Sequence, residues 1–523
     1  MTSGADVDGT RRRGRVVFLV DNSTEGDSRT AKTVGSMIAA GWEVLVLGRS
    51  KDKEERTDEC EGAVVRLLPV STPLHRAHHD LQKFHIRWPL AYSSVAIRNN
   101  RRIWLQARRK DLEARRIAAA SGSAVARMHV MVVAARLRLA GRWLRIRSQQ
   151  TDAAKEGRRV LDGRLDKVSL RLWQMLAGDR CWRRLEPILF DYEMAFGSKI
   201  DELRPDIIHA NDFRMLGVGA RAVLRARKRG QRMKLVWEAR EYLPGLKPRS
   251  GDVHWLPANM AHEREYARFA DAVVTVSGTL AELLRTENRL AVEPAVVLNA
   301  PELRAPAGLP QGSSTDIRTE CGVGPEVPLL VYSGALAEQR GIATMIEGLP
   351  ALDGVHVAIV ALSAENAYLK AQLTRAAKLG VSDRVHVVSY VPHWQVVDFL
   401  RTADIGVIPI HRWKNHEISL ITKFFEYSHA RLPIVVSDVK TMAEAARATG
   451  QGEVFRAQDV GDYVRAVQTV LADPGRYRAA YTVPGLLEKQ TWQYQAQVLD
   501  EIYSGLVSGS NHPAVPEKPL PAV

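Results

Sequence analysis

Two stretches of this chain carry residues whose types and spacing suit a phosphorylated ligand. In Ser419-Leu-Ile-Thr-Lys423-Phe-Phe-Glu426-Tyr a lysine and a glutamate stand three residues apart, which puts both on one face of a helix. An ammonium at Lys423 neutralises phosphate oxygens. A carboxylate at Glu426, which only accepts, takes two hydroxyl hydrogens from a ribose. The same pair could equally form a solvated ion pair on a helix surface. Upstream, the apolar run Leu329-Leu-Val-Tyr332-Ser333 leads into Gly334, then Arg340-Gly341, then an apolar-periodic segment with Ile342, Met345, Ile346 and Leu349. That order of strand, glycine loop and helix lets backbone N–H groups approach an anion, with Arg340 supplying countercharge.

These elements call for a framework. At 523 residues the chain suits two domains with extras. Val16 to Val20, the helical stretch from Ser28 to Ala40 and Gly41 to Leu47 form an opening βαβ unit, and no G-x-G-x-x-G loop marks a dinucleotide site there. The rhythm resumes at Pro205-Asp-Ile-Ile-His209-Ala-Asn211-Asp212 and at Leu235-Val-Trp237 followed by Glu238-Ala-Arg240-Glu241. Carboxyl ends of parallel strands are where ligands bind, so His209, Asp212, Arg240 and Glu241 are candidates to line an interdomain cleft. Val355–Val360, Val385–Ser389, Ile405–Pro409 and Ile434–Val436 supply strands for a second domain.

Taken in order, these motifs resemble the retaining family-four glycosyltransferases of the GT-B fold over about residues 14–72 and 186–505. The resemblance rests on the Glu426-Tyr segment with its Leu-Pro433-Ile-Val-Val strand, on Gly334 with Arg340-Gly341, on Ala270-Asp271-Ala-Val-Val-Thr-Val-Ser277, and on Val297-Leu-Asn299-Ala-Pro301. It implies two Rossmann-like α/β domains facing a central cleft. The first spans residues 14–304 and carries a basic helical insertion at about 73–186. The second, a nucleotide-sugar-binding domain, spans 315–480. A helix at 485–507 crosses back to the first domain, a linker occupies 305–314, and the tail 508–523 is disordered. The implied reaction moves a sugar from a nucleotide-diphosphate donor to an acceptor hydroxyl with retention and without a metal or other cofactor. Arg340, Lys423 and Gly334 would hold the diphosphate, Glu426 the ribose, and Val391 the base through its main chain. Ser419 matches a subset of the family reading Ser-x-Pro-x-Lys-x-x-Glu-Tyr. The chain departs from the pattern where Ala335 replaces an arginine, Ile418 replaces the first glutamate of the usual pair, and Arg240 takes the place of a histidine near the transferred sugar. Arg240 trades a titratable group for a fixed cation. A catalytically idle scaffold, or an epimerase or phosphorylase on it, is the alternative.

Composition narrows the setting. Cys60, Cys181 and Cys321 lie far apart without metal-ligand spacing, so neither a disulfide framework nor a zinc site is expected. The apolar run after the basic N-terminus is too short for a signal peptide and no long apolar run follows, which points to the cytoplasm. The net charge of +15 is concentrated: thirteen basic residues between Arg101 and Arg147 face only Asp111 and Glu113. Val125, Met128, Val132, Ala135, Leu139, Trp143 and Ile146 recur there at helical spacing. Such an amphipathic helix suits an anionic membrane surface, or a stripe packed on its own domain. Nucleic acid is not expected, because no reader motif accompanies the charge. The acceptor expected from this basic region is a lipid-linked or cell-envelope saccharide.

Overall fold

A computed structural model describes residues 13–52, 54–71, 88–120, 123–246, 251–305, 312–313, 315–363 and 365–509. In chain order the elements that matter begin with β1 (Arg15–Leu19), α1 (Ser28–Ala39), β2 (Glu43–Arg49), β3 (Arg56–Cys60) and β4 (Ala63–Leu68). Three helices follow, α2 (Val95–Ala120), α3 (Ala124–Val160) and α4 (Arg164–Ala177). Then come β5 (Ile207–Asn211), α5 (Asp212–Lys228), β6 (Lys234–Ala239), β7 (Ala272–Thr275), α6 (Gly278–Asn288) and β8 (Ala295–Val296). The remainder holds β9 (Leu329–Ser333), α7 (Ile342–Gly348), β10 (His356–Ala361), β11 (Val385–Ser389), β12 (Ile405–Ile408), α8 (Thr422–His429), β13 (Ile434–Ser437), α9 (Lys440–Thr449), β14 (Gly452–Phe455) and α10 (Trp492–Ser508).

The chain divides into two compact units. One comprises Met1–Val70, Tyr192–Leu246 and Glu263–Val523; the other comprises Ser71–Asp191 and Lys247–His262. The first unit contains two sheets. Eight strands run in the order β3-β4-β2-β1-β5-β6-β7-β8, and six in the order β11-β10-β9-β12-β13-β14. All pairings are parallel except β3 with β4. Parallel strands covered by helices on both faces read as continuous apolar runs. Accordingly Val16, Val17, Phe18 and Leu19 are all fully buried, as are Leu329, Leu330 and Val331. The β3–β4 hairpin turns at Glu61 and Gly62, both with positive φ, and was not foreseen because its first strand, Arg-Thr-Asp-Glu-Cys, is exposed and polar.

In each sheet the strand order reverses beside the first strand, between β1 and β5 and between β9 and β12. That reversal opens a crevice at the carboxyl ends of the strands. Helix α10 packs on the first sheet: Trp492 donates to Ser36 Oγ at 2.9 Å, and Asp500 accepts from Trp42 Nε1 at 2.7 Å. Helix α8, which carries Lys423 and Glu426, starts at Thr422, so Ser419 lies in the preceding loop.

The second unit is built mainly of helices. The 37-residue α3 lies against α2 through Val130, Val133, Ala134, Leu137, Ala140 and Leu144 packed on Leu105 and Leu112. Residues 73–87 of the expected insertion, 306–311 and 314 of the expected linker, and 510–523 of the expected tail lie outside the described residues. Among the described residues no helix is long and apolar enough to cross a membrane.

Candidate functional site

The crevice between β9 and β12 holds a cavity of about 200 Å³ lined by Tyr332, Ser333 and Ala335 after β9, by Val407, Ile408 and Ile410 around β12, by Ile421, Thr422 and Lys423 at the start of α8, and by Arg340. Each wall has a local cause. Tyr427, fully buried on α8, accepts from the Ser333 backbone N–H at 2.9 Å and donates to the Val331 carbonyl at 3.3 Å. One phenol therefore ties the end of β9 to the helix that carries Lys423. Gly334 has φ +151°, and a Cβ there would lie 2.7 Å from Lys423 Cε. The lysine thus lies directly over a glycine whose φ disfavours any other residue. Gly341, at φ +74°, presses against the Pro409 carbonyl, where a Cβ would come within 1.8 Å of the oxygen. That contact fixes Arg340 beside the loop after β12.

The electrostatics of this cavity are one-sided. Among the described residues neither Arg340 nor Lys423 makes an ion pair. The Ser333 hydroxyl is buried without a hydrogen-bond partner, and so is Oε2 of Glu426, one turn beyond Lys423 on α8 and 6% exposed. Unsatisfied buried polar atoms are uncommon in folded proteins and call for an explanation such as a ligand. Two unpaired cations and an orphaned hydroxyl at the cavity suit an anion, and the orphaned carboxylate oxygen of Glu426, which does not line the cavity but lies one turn further along α8, suits a hydroxylated group joined to it. Tyr390 stands near enough that, after burial, the Glu426 charge helps push its phenol up to about 12. Val391 follows it, half-buried and packed against the core. Ser419 is spent elsewhere: its hydroxyl donates to the Asn415 carbonyl, and it does not line the cavity.

At the crevice of the first sheet the residues form a closed network instead. Glu238, at 2% exposure, accepts from Arg29 Nε at 3.0 Å and Nη2 at 2.8 Å, and from Arg240 Nε at 3.0 Å and Nη2 at 2.8 Å. Burial alone would raise its pKa, but Arg240 and Arg29 hold it well below the usual carboxylate range. Arg240 also reaches Asp27 at 3.1 Å and Thr30 Oγ1 at 3.1 Å. His209, expected to line a cleft, is instead fully buried. Its Nε2 lies 3.2 Å from Glu238 and its Nδ1 2.6 Å from the Tyr503 hydroxyl, and burial lowers its pKa. Removal from water disfavours the charged ring, and the Tyr503 contact ties α10 to the network. Arg240 is the partly open member of the network, its side chain 23% exposed.

Asp212 opens α5 with φ +70° and accepts from the Phe213 N–H at 2.7 Å. A positive φ at a non-glycine strand end is a strained arrangement of the kind that collects at functional positions. Glu241 is exposed, and its carboxyl is pushed up first by partial desolvation and then by the charge of Asp212. Glu263, buried and accepting from Asn288 Nδ2 at 3.0 Å, is pushed up to about 8 by desolvation, with Asp212 and Glu287 adding to it.

The segment leading into α8 stitches the two sheets together. Tyr242 N–H donates to Asn415 Oδ1 at 3.2 Å, Trp413 Nε1 to the Gly245 carbonyl at 3.1 Å, and Ser277 Oγ to the Ile418 carbonyl at 2.5 Å. Ile418, at 5% exposure, is buried at this junction, which accounts for an apolar side chain there. Lys32 on α1 completes the seam and was not read from the sequence. It donates to Ala300 O at 2.7 Å and Asn299 Oδ1 at 3.2 Å, while Asn299 Nδ2 donates to Thr422 Oγ1 in the cavity wall at 3.0 Å. Burial and then Arg29 push the Lys32 amine down to about 7. Among the described residues no group of three or more His, Cys, Asp or Glu side chains could hold a metal ion.

Comparison with known proteins fits this geometry. Residues 161–300 match the family described as Glycosyltransferase Family 4, and residues 327–473 match Glycosyl transferases group 1. Glycogen synthase of Mycobacterium tuberculosis is 26% identical over 187 residues, covering 35% of this chain and 44% of that protein. D-inositol 3-phosphate glycosyltransferase of Thermomonospora curvata is 27% identical over 210 residues, covering 38% and 47%. The chain thus spans about half the length of the curated relatives it matches. Among solved structures, sucrose-phosphate synthase from Thermosynechococcus elongatus superposes with a TM-score of 0.57 at 14% identity, covering 95% of this chain and 100% of that one. Anabaena HepE in complex with UDP gives 0.55 at 13% identity, covering 94% and 100%. At that identity the likeness speaks to fold, and it is the two-sheet α/β architecture described above. The chain belongs to the family-4 glycosyltransferases of the GT-B fold.

Proposed function

We propose that the protein transfers a sugar from a nucleoside-diphosphate sugar to an acceptor hydroxyl with retention of anomeric configuration. The observation that carries the reading is the cavity at the β9–β12 crevice, where Lys423 lies over Gly334 with Arg340 on the same wall and no ion pair to either cation among the described residues. At about 200 Å³ it is smaller than the roughly 300–1,000 Å³ of a site that encloses a whole small ligand. It suits the charged centre of the donor. When the bond from the anomeric carbon to the diphosphate breaks, the electron pair leaves with the phosphate oxygen. Lys423 and Arg340, fixed in advance by Tyr427, Gly334 and Gly341, stabilise that growing negative charge without reorganising. The unpartnered Oε2 of Glu426 accepts from the ribose. Solved HepE structures contain UDP and UDP-glucose, which supports a uridine nucleotide as the first probe.

In this reading Val391 meets the base through its main chain. Arg240, Asp212 and Glu241 face the sugar or the acceptor, His209 supports them from the core, and Ser419 shapes the loop into α8. No cofactor takes part, and the acceptor is a saccharide, lipid-linked or of the cell envelope.

Incubating the purified chain with a panel of nucleoside-diphosphate sugars and candidate acceptors tests the reading. Release of nucleoside diphosphate and a product whose anomeric proton coupling matches that of the donor are expected. A product of inverted configuration, or no turnover of any donor together with no nucleotide binding, contradicts it.

A further inference from the structure

Helix α3 carries two apolar stripes, and among the described residues one is packed and the other exposed. The stripe through Ala134 and Leu137 packs on α2. The other runs through Val125, Met128, Val132, Leu139, Trp143 and Ile146, and these six side chains are 45–70% exposed. They are most of the residues whose helical spacing is evident in the sequence. At ~1.5 Å per residue the stripe from Val125 to Ile146 is about 32 Å long. Arginines flank it on both sides: at 100° per residue Arg136 falls on one edge, and Arg127, Arg138, Arg142 and Arg145 on the other. All five are exposed, and none forms an ion pair among the described residues. Helix α4 repeats the pattern, with Leu165, Val168, Leu172, Met175 and Leu176 47–79% exposed. Of the twenty-seven large apolar side chains exposed among the described residues, seventeen lie between Val95 and Leu176. Concentrated exposed apolar surface marks an interaction site.

We propose that this helical unit lies on an anionic lipid bilayer, with the Val125–Ile146 stripe set into the interface and the flanking arginines against lipid phosphates. The occupant follows from the two chemistries together. A stripe of leucine, isoleucine, valine and tryptophan needs an apolar phase, which nucleic acid does not offer. The row of four arginines along one edge and Arg136 on the other, none ion-paired among the described residues, need negative charge, which a second copy of the same surface opposes with like charge. A bilayer of anionic lipid satisfies both at once, and a helix lying in its plane needs no spanning length. This inference stands on the helical unit alone and does not depend on the nucleotide reading of the cavity.

Cosedimentation of the full chain with vesicles of phosphatidylcholine, and with vesicles of phosphatidylcholine and phosphatidylglycerol, tests it. Binding to the second and not the first is expected, weakening as salt rises. Replacing three arginines together, Arg138→Gln, Arg142→Gln and Arg145→Gln, is expected to weaken binding on the order of a hundredfold, from about fivefold for each basic residue near the surface. Leu139→Asp with Trp143→Asp is expected to remove binding while leaving helix content unchanged, because both side chains are exposed. Equal binding to neutral vesicles, binding that survives both sets of substitutions, or a dimer lost in the Leu139/Trp143 variant without any vesicle binding would each overturn the proposal.

Discussion

Alanine at Gly334 reads out what the lysine above it does. The new Cβ would lie 2.7 Å from Lys423 Cε and 3.5 Å from Nζ. Carbon atoms rest at about 3.5–4.0 Å, so the flexible lysine retreats by about 1 Å. At φ +151° the alanine also adds backbone strain of about 1–3 kcal/mol. A hydrogen bond to a charged group contributes about 1.5–3 kcal/mol, so displacing the ammonium weakens nucleoside-diphosphate binding roughly 10- to 150-fold. Lys423→Ala should cost a similar factor by removing the same contact. The two changes should not multiply, since in the Lys423→Ala background the alanine at 334 has no Cε to meet, and residues in direct contact show such coupling. Calorimetric titration of wild type, Gly334→Ala, Lys423→Ala and the double variant with UDP provides the four affinities. A double variant within about threefold of Lys423→Ala is expected. Fully multiplicative losses would refute the idea that Gly334 acts by seating the lysine, and unchanged affinity in both single variants would refute the diphosphate site.

Two further outcomes follow from the first-sheet network and its acidic neighbours. Glu238→Gln leaves the buried Arg29 without its counter-charge and Arg240, partly exposed, with Asp27 alone, and breaking a buried pair such as Arg29–Glu238 costs about 3–5 kcal/mol. A clear loss in the urea midpoint of unfolding is expected, and a midpoint unchanged from wild type would show that the network is not structural. Glu263 holds its proton up to about 8 in the folded chain, against a usual 4.5. Its contribution to stability is therefore complete below pH 4.5 and is lost as pH rises through about 8. Thermal unfolding from pH 6 to 9 should show wild type losing stability relative to Glu263→Gln, and parallel curves would contradict that.

The second domain was legible because its chemistry and its fold share the same short segments. Leu329–Val331 is apolar throughout since the strand is buried on both faces, and the strand leads through Tyr332 and Ser333 into the glycine over which Lys423 lies. The Lys423–Glu426 spacing likewise carries both the helix and the ligand groups. The first domain was less so. A histidine in a strand reads the same whether it faces a cleft or the core; His209 is the middle residue of β5, stacked on Phe18 and capped by Tyr503, 294 residues away. Asp27, Thr30 and Glu238 converge on Arg240, and the reach across to Asp27 and Thr30 is a long-range arrangement that no local pattern announces. Lys32 and Ile418 were opaque for the same reason: both belong to a seam between sheets formed by segments far apart in the chain. The arginine-flanked stripe of α3 was plain in its periodicity, yet whether it was packed or exposed depended on the second stripe, which α2 covers.

In the proposed function Glu426 holds the ribose of a nucleotide whose diphosphate lies against Lys423, Arg340 and Gly334. Titrating wild type and Glu426→Ala with UDP and with its 2′,3′-dideoxy analogue tests it most directly. The account predicts that wild type prefers UDP by about tenfold or more, the worth of hydrogen bonds to a carboxylate, and that the alanine variant binds both alike. A preference that persists in Glu426→Ala, or no binding of UDP or any other nucleoside diphosphate to wild type, would contradict it.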